Sequence, residues 1–155
     1  MKQTVILNVS ASEYYKAFED NMIDDYIMST KVKLHRDDIK SGLTWQKVAT
    51  YRVGKEVNAS IKILIAEKDK EYMIEYQSDK SYRTQHCYIT PLEDYKCKIE
   101  LITKFDQEVW LEHQVKPKQE VDDSEDEKKL TFFERLQYRK LEKGIISMRK
   151  SKALN

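Results

Sequence analysis

The stretch TVILNVSASEYYKAF, residues Thr4–Phe18, joins a short apolar strand to the start of a helix. Thr4–Val9 is rich in β-branched residues, which is typical of a strand. Ser10 and Glu13 have the spacing of a capping box, in which a hydroxyl and a carboxylate satisfy free backbone N–H groups reciprocally. Three apolar side chains then recur every fourth residue, as one face of a helix requires: Tyr14, Phe18 and Met22. The acidic pair at 24–25 leaves two alternatives open, an unbroken helix or a break at this pair, so one or two short helices are predicted after the first strand.

Between Trp45 and Phe105 the apolar period changes to two, which predicts about five further strands. Each has one apolar and one charged face, which is typical of an antiparallel sheet with one face in water. Short breaks such as Lys68-Asp69-Lys70 predict hairpins and sequential pairing. The expected apolar faces are Ala59, Ile61, Ile63 and Ile65, then Tyr72, Ile74 and Tyr76, and finally Cys97, Ile99, Leu101, Thr103 and Phe105.

A long helix is predicted from Thr131 to the end of the chain, because Thr131 and Glu134 repeat the capping-box spacing. Gly144 lies in the apolar side of this helix, and we expect the helix to approach the sheet closely there. The charged stretch 116–129, with its acidic centre at 122–127, predicts a surface loop. The apolar side of the helix is predicted to comprise Phe133, Leu136, Leu141, Ile145 and Met148.

Length and composition predict one domain over residues 1–155 and exclude several functional classes. Hydrophobic residues make up 40% of the chain and charged residues 35%, and no apolar run is long enough to span a membrane. The N-terminus lacks the pattern of a signal peptide, so the cytoplasm is the expected compartment. The net charge of +1 gives no general attraction to nucleic acid or to anionic membranes. In a reducing compartment, Cys87 and Cys97 are expected to be small buried thiols.

The sequence contains no motif that predicts a catalytic residue, a metal site or a cofactor. His35, His86 and His113 are not spaced as metal ligands, and the three glycines are too scattered for a phosphate-binding loop. No pairing of a nucleophile with a base is recognisable.

One strand, Tyr82–Thr90, has two possible orientations. If its even-numbered residues face inward, His86 and Tyr88 add polar groups to an aromatic wall, and His86 has the acid–base properties of a catalytic group. If its odd-numbered residues Arg83, Gln85, Cys87 and Ile89 face inward, His86 is structural or exposed. The sequence leaves both orientations open.

The order of strand, VSASEYYKAF helix, sheet meander and long C-terminal helix resembles the START and polyketide-cyclase-like superfamily (SRPBCC), with its helix-grip fold. The best match is Val5–Phe18, and the chain looks like one of the small uncharacterised bacterial families of this superfamily. The resemblance implies an α+β fold in which the last helix grips a curved antiparallel sheet of about six strands. It also implies an internal apolar cavity between that sheet and the helix.

Our leading hypothesis is non-catalytic binding of a small apolar or amphipathic molecule in that cavity. A protein-interaction or co-chaperone-like module without a ligand is a second possibility, and a cyclase or hydrolase that uses His86 is a third. No nucleic-acid partner, membrane insertion, metal or cofactor is expected, and the oligomeric state is left open. The predicted ligand contacts are Trp45, Ile63, Tyr72, Tyr76, His86, Tyr88, Leu101, Phe133, Leu136 and Ile145.

Overall fold

A computed structural model describes residues 1–50, 56–79, 81–105 and 129–154. The predicted break at 53–55 and residues 116–128 of the predicted charged loop lie outside this part of the chain. The elements are β1 (Lys2–Leu7), α1 (Ala11–Thr30), a 3-10 turn (Arg36–Asp38), β2 (Thr44–Thr50), β3 (Glu56–Glu67), β4 (Glu71–Ser78), β5 (Tyr82–Glu93), β6 (Lys96–Phe105) and α2 (Phe132–Leu154). The α+β fold class and the five strands between Trp45 and Phe105 are therefore confirmed.

The six strands form one antiparallel sheet in the order β1-β6-β5-β4-β3-β2. Strands β2 to β6 pair sequentially, as their short connections predict, and β1 pairs with β6 at the other end. Successive residues of a strand point to opposite faces, so the pairing defines an inner face that carries the core and an outer face. The inner face carries, among others, Leu7, Ile63, Ile74, Cys87 and Ile99.

The inner face is interrupted by a bulge at Leu64. Ile63 pairs with Ile74, whereas Ile65 pairs with Met73, so one extra residue separates the two pairs. Such an extra residue reverses the face to which the following side chains point. Ile65 therefore lies on the outer face, and the prediction that it continues the inner row of β3 is wrong.

Helix α1 begins with the predicted capping box. The Ser10 hydroxyl accepts from the Glu13 N–H at 3.0 Å, and the Glu13 carboxylate accepts from the Ser10 N–H at 2.9 Å. The helix packs on the inner face, where the Phe18 ring stacks on the Tyr72 ring with 3.8 Å between centroids. It ends at Lys31, which has the left-handed backbone conformation common at helix ends.

Of the two alternatives, one helix or two, the structure has one, since α1 runs unbroken through Asp24 and Asp25. The Asp25 carboxylate does not compete for the helix backbone. It accepts from the indole Nε1 of Trp45 at 2.8 Å and from Lys47 Nζ at 2.6 Å, both on β2. Asp25 thus fixes α1 against the edge of the sheet.

Helix α2 also begins with its predicted capping box, at Thr131 and Glu134. Its predicted apolar side is only partly correct. Leu141 and Ile145 pack against the core, but Leu136 lies five residues before Leu141, about 140° around the helix, and is exposed. Phe133 and Met148 are exposed as well, and the residues that pack on the core are Tyr138, Leu141, Ile145 and Ile146.

Gly144 does not mark a close approach to the sheet. A Cβ atom added to it would meet no atom within 4 Å, and the residue is exposed. Among the described residues, no helix is both long enough and apolar enough to cross a membrane.

Candidate ligand-binding site

A cavity of about 420 Å³ lies between the first half of α2 and the inner face of the sheet at β1, β6 and β5. This is the place where a helix-grip fold is expected to hold a ligand. Its size falls within the range of roughly 300–1,000 Å³ that is usual for small-molecule sites. The lining residues are Met1, Gln3, Arg83, Gln85, Leu101, Thr103, Phe105, Glu134, Gln137, Tyr138 and Leu141.

The strand register arranges the sheet side of this cavity in successive rows. Leu101 lies opposite Gln3 and Cys87, Thr103 lies opposite Gln85, and Phe105 lies opposite Arg83. Residues two apart on one face are about 6.6 Å apart along the strand. The cavity wall therefore carries Leu101 beside the Gln3 amide in the first row, neutral polar side chains in the next row, and an aromatic and a cationic side chain in the Arg83 row.

Beyond the Leu101 row the inner face is closed. The next row consists of Val5, Ile99 and Ile89, and both isoleucines are buried in the core. The Leu101 row, which borders this packed row, is the deep end of the cavity, and the Arg83 row lies at its other end.

Helix α2 covers the cavity on the side opposite the sheet, and the capping-box residue Glu134 helps to determine which face of the helix points to the sheet. Glu134 caps the helix through the Thr131 N–H and also accepts a hydrogen bond from the buried Gln3 amide of β1. This contact places Tyr138 and Leu141, one and two turns further on, over the sheet. Burial raises the pKa of Tyr138 to about 12, so its hydroxyl stays protonated at neutral pH and can donate a hydrogen bond.

The core beside the deep end contains a cluster of neutral polar groups. The hydroxyls of Tyr14 and Tyr72 are 3.3 Å apart, and burial raises both of their pKa values well above the ordinary one. Burial likewise raises the pKa of the Cys87 thiol to about 12. A thiol held in its protonated form is a poor nucleophile, so Cys87 acts as a small core residue.

The two cysteines are free and buried, as expected. Cys87 pairs with Leu101 and Cys97 pairs with Pro91, so the two thiols are offset by four residues along the strands. That offset corresponds to about 13 Å, well beyond the reach of a disulfide.

The structure separates the ten predicted ligand contacts into five groups. Leu101 alone lines the 420 Å³ cavity, and Ile145 lines a smaller groove of about 170 Å³ between α1 and α2. Phe133 and Leu136 are exposed on α2. Four others lie on the inner face, in or against the core: Trp45, Ile63, Tyr72 and Tyr76. The last two, His86 and Tyr88, lie on the outer face.

The outer position of His86 rules out its predicted role in a cavity. His86 pairs with Met73 and Ile102, and its Nε2 lies 2.6 Å from a carboxylate oxygen of Glu71. Its ring packs against Tyr88, with 4.3 Å between centroids. The hypothesis of an enzyme that uses His86 in the cavity is therefore wrong. The inward-facing residues of β5 are Arg83, Gln85, Cys87 and Ile89.

Several cavity residues were missed by the sequence analysis. Gln85 and Arg83 share a face with Cys87 and Ile89, and the apolar character of those two residues was the available signal. Tyr138 is not among the residues of the predicted apolar side of α2. Gln3 precedes the apolar part of β1, and nothing in the sequence pairs it with Glu134. In the described ranges, no group of three or more His, Cys, Asp or Glu side chains is placed to hold a metal ion.

Comparison with solved structures identifies the class of fold. A Thalictrum flavum norcoclaurine synthase point mutant, in complex with a transition-state analogue, is 8% identical and matches 96% of this chain and 94% of its own, with a TM-score of 0.55. Ara h 8.0201 is 12% identical over 95% of this chain and 97% of its own, with a TM-score of 0.52. A START superfamily protein from Mycobacterium smegmatis is 14% identical over 74% and 88%, with a TM-score of 0.45.

A further structure of norcoclaurine synthase from Thalictrum flavum, 8% identical, matches 66% of this chain and 65% of its own, with a TM-score of 0.48. The two matches with TM-scores above 0.5 show the fold alone, and this fold agrees with the helix-grip fold that the sequence resembles.

The family is shown by a sequence model described as a domain of unknown function, DUF3284, which matches residues 1–121. The chain belongs to this family. The matched residues include α1 and the whole sheet, whereas α2, which roofs the cavity, follows them. No curated protein matches the sequence.

Proposed function

We propose that the protein binds a small apolar or amphipathic molecule, without converting it, in the cavity between α2 and the sheet. The observation that supports this proposal is the cavity itself. It is about 420 Å³ in volume, and its lining combines apolar side chains, such as Leu101, Leu141 and Phe105, with a similar number of polar and charged ones. Such a mixture of apolar surface and polar groups suits an amphipathic small molecule.

Burial of apolar ligand surface supplies the driving force for this binding. A ligand that buries about 200 Å² of apolar surface gains about 5 kcal/mol at 25 cal/mol per Å². The loss of ligand freedom reduces that gain. Affinity in the micromolar range therefore needs polar contacts in addition to burial.

The chemistry of the lining residues supports binding without catalysis. The cavity is lined by neither histidine nor cysteine within the described ranges. Its carboxylate, on Glu134, is engaged by the Thr131 N–H and the Gln3 amide. Its phenol, on Tyr138, has a raised pKa and does not ionise at neutral pH. These groups do not form a pair of nucleophile and base.

Native mass spectrometry of the freshly purified protein tests the proposal. A mass excess that disappears on denaturation is the expected result, and the mass of the released molecule identifies its class. The same preparation, stripped of ligand, is then titrated with the fluorescent probe anilinonaphthalene sulfonate. Saturable binding with one site per chain is expected. A clean mass together with no saturable probe binding would contradict the proposal.

A matched pair of variants places the binding in this cavity. Leu141→Trp adds an indole to the roof and is expected to weaken probe binding about tenfold or more, since the added ring occupies the ligand's volume. Leu136→Trp adds the same ring to the exposed side of α2 and is expected to leave binding unchanged. Far-UV circular dichroism and thermal midpoints check that both variants are folded.

A protein-interaction function is the second candidate, and one observation favours it. Phe132 and Phe133, at the start of α2, are 76% and 74% exposed. Adjacent exposed phenylalanines are unusual on a surface that has no partner. Under this candidate, Phe132→Ser with Phe133→Ser abolishes capture of a partner and leaves probe binding intact. The acidic segment 122–127 lies outside the described residues.

A further inference from the structure

We propose that the ligand is a monocarboxylate with an apolar body, whose carboxylate binds Arg83 at one end of the cavity. This inference rests on the function proposed above, and it names the class of ligand. It follows from the unused polar groups of the cavity and from their order along the strands.

Arg83 is placed for such a contact. It lines the cavity, it is exposed, and its guanidinium lies 4.4 Å from the centre of the Tyr76 ring. Across the described ranges, no carboxylate forms an ion pair with it. Stacking on a ring fixes the plane of a guanidinium while its edge remains available for a carboxylate. Because the guanidinium is a cation, the site favours an anion.

The row next to Arg83 provides further donors. Gln85 and Thr103 lie opposite each other on β5 and β6, and both side chains line the cavity. Neither side chain takes part in a hydrogen bond within the described part of the chain. The sole buried side-chain polar atom left without a partner there is on Asp69. The polar atoms of Gln85 and Thr103 are therefore reachable from the cavity and free to donate to a ligand oxygen.

The carboxylate of Glu134, which also lines the cavity, lies away from Arg83. Its carboxylate is held by the Thr131 N–H and by Gln3, and Gln3 belongs to the Leu101 row. Arg83 lies two rows away, at the Phe105 row. The engaged carboxylate of Glu134 is thus two rows away from Arg83, which forms no ion pair with any carboxylate of the described residues.

The distance between the two ends sets the size of the ligand. Leu101 pairs with Cys87, four residues along β5 from Arg83, which corresponds to about 13 Å. An extended medium-chain fatty acid fits this distance, with its chain against Leu101, Tyr138 and Leu141 and its carboxylate at Arg83.

Paired titrations of ligand-stripped protein with decanoate and decanol test this inference by isothermal calorimetry. The two probes share an apolar chain and differ in the charge of the end group. Removal of one charge-assisted hydrogen-bonded pair is expected to cost about tenfold or more in affinity. We therefore expect Arg83→Gln to weaken decanoate at least tenfold and to leave decanol within about twofold.

Arg139→Gln provides the control, because Arg139 is exposed on α2 and does not line the cavity. It is expected to leave both affinities unchanged. Equal decanoate affinity in Arg83→Gln and wild type would overturn the carboxylate assignment. The function proposed above would stand in that case if Leu141→Trp weakened the binding of decanoate and of decanol about tenfold or more. Failure of both probes to bind the wild-type protein would overturn the carboxylate assignment and count against the cavity as a ligand site.

Discussion

Arg149 and Glu13 form a two-point ion pair that joins the second half of α2 to the first turn of α1. The Nε and one Nη of Arg149 donate to the two Glu13 carboxylate oxygens at 2.9 and 2.8 Å. The same guanidinium lies 4.0 Å from the centre of the Tyr95 ring. Because Glu13 also caps α1 through the Ser10 N–H, one carboxylate serves both helices. This ion pair ties the second half of α2 to α1.

The Arg149–Glu13 pair makes stability depend on pH. The hydrogen bonds from Arg149 hold the pKa of the Glu13 carboxyl below its ordinary value of 4.5. A carboxyl whose pKa is lower in the folded state stabilises the fold above its unfolded pKa, and this contribution is lost as the pH falls through the folded pKa. We expect Arg149→Met to lower the thermal midpoint at pH 7. The difference from wild type should shrink as the pH falls below 4.5. If the thermal midpoints of Arg149→Met and wild type differ as much below pH 4.5 as at pH 7, this account of the pair is contradicted.

Gly144 and Gly42 are expected to respond oppositely to alanine. Gly144 is exposed in α2 with free space around it, so Gly144→Ala should raise the free energy of unfolding by up to about 1 kcal/mol. Gly42 has φ +97°, a conformation that a residue with a Cβ atom rarely adopts. Gly42→Ala should therefore lower the free energy of unfolding by about 1 kcal/mol. Urea unfolding curves measure both changes. Destabilisation by Gly144→Ala would indicate that α2 approaches another surface at this position.

Asp25 is expected to matter far more than its neighbour Asp24. Asp25→Ala leaves the buried indole N–H of Trp45 without its acceptor and should cost about 1–3 kcal/mol. Asp24 is exposed and serves as the matched control, for which Asp24→Ala should change stability by less than about 0.5 kcal/mol. Chemical denaturation of the two variants makes the comparison. Equal effects would mean that the carboxylate of Asp25 does not hold α1 on β2.

Both cysteines are expected to resist alkylation in the folded protein. Burial raises the pKa of Cys87 to about 12 and that of Cys97 to about 11, and the thiolate is the reactive form. Iodoacetamide at pH 8 should therefore label neither residue until the protein is unfolded in denaturant, when both should react. Rapid labelling of Cys87 in the native protein would show that the core beside the cavity opens to solvent.

The features predicted best from the sequence are those that depend on neighbouring residues. The capping boxes at Ser10 and Thr131 and the alternation of β4 and β6 are fixed within a few residues, and the structure confirms them. The resemblance at Val5–Phe18 identified the fold correctly for the same reason, since a capped helix after a strand is a local pattern.

The cavity depends on relations that no local pattern contains. The orientation of β5 follows from the pairing of Cys87 with Leu101, and the face of α2 follows from the contact between Glu134 and Gln3, which are 131 residues apart. Apolar residues at Phe133 and Leu136 suggested a different face of α2. For these reasons the fold was predicted well, whereas Leu101 alone among the predicted contacts lines the cavity.

The most direct test of the central claim is a methyl NMR titration of the leucine- and isoleucine-labelled protein with decanoate. A ligand between α2 and the inner face should shift the methyl signals of Leu101 and Leu141. The signals of Ile6 and Ile102 on the outer face, and of Leu136 on the exposed side of α2, should stay in place. Shifts confined to the outer face or to Leu136, with Leu101 and Leu141 unchanged, would contradict the account.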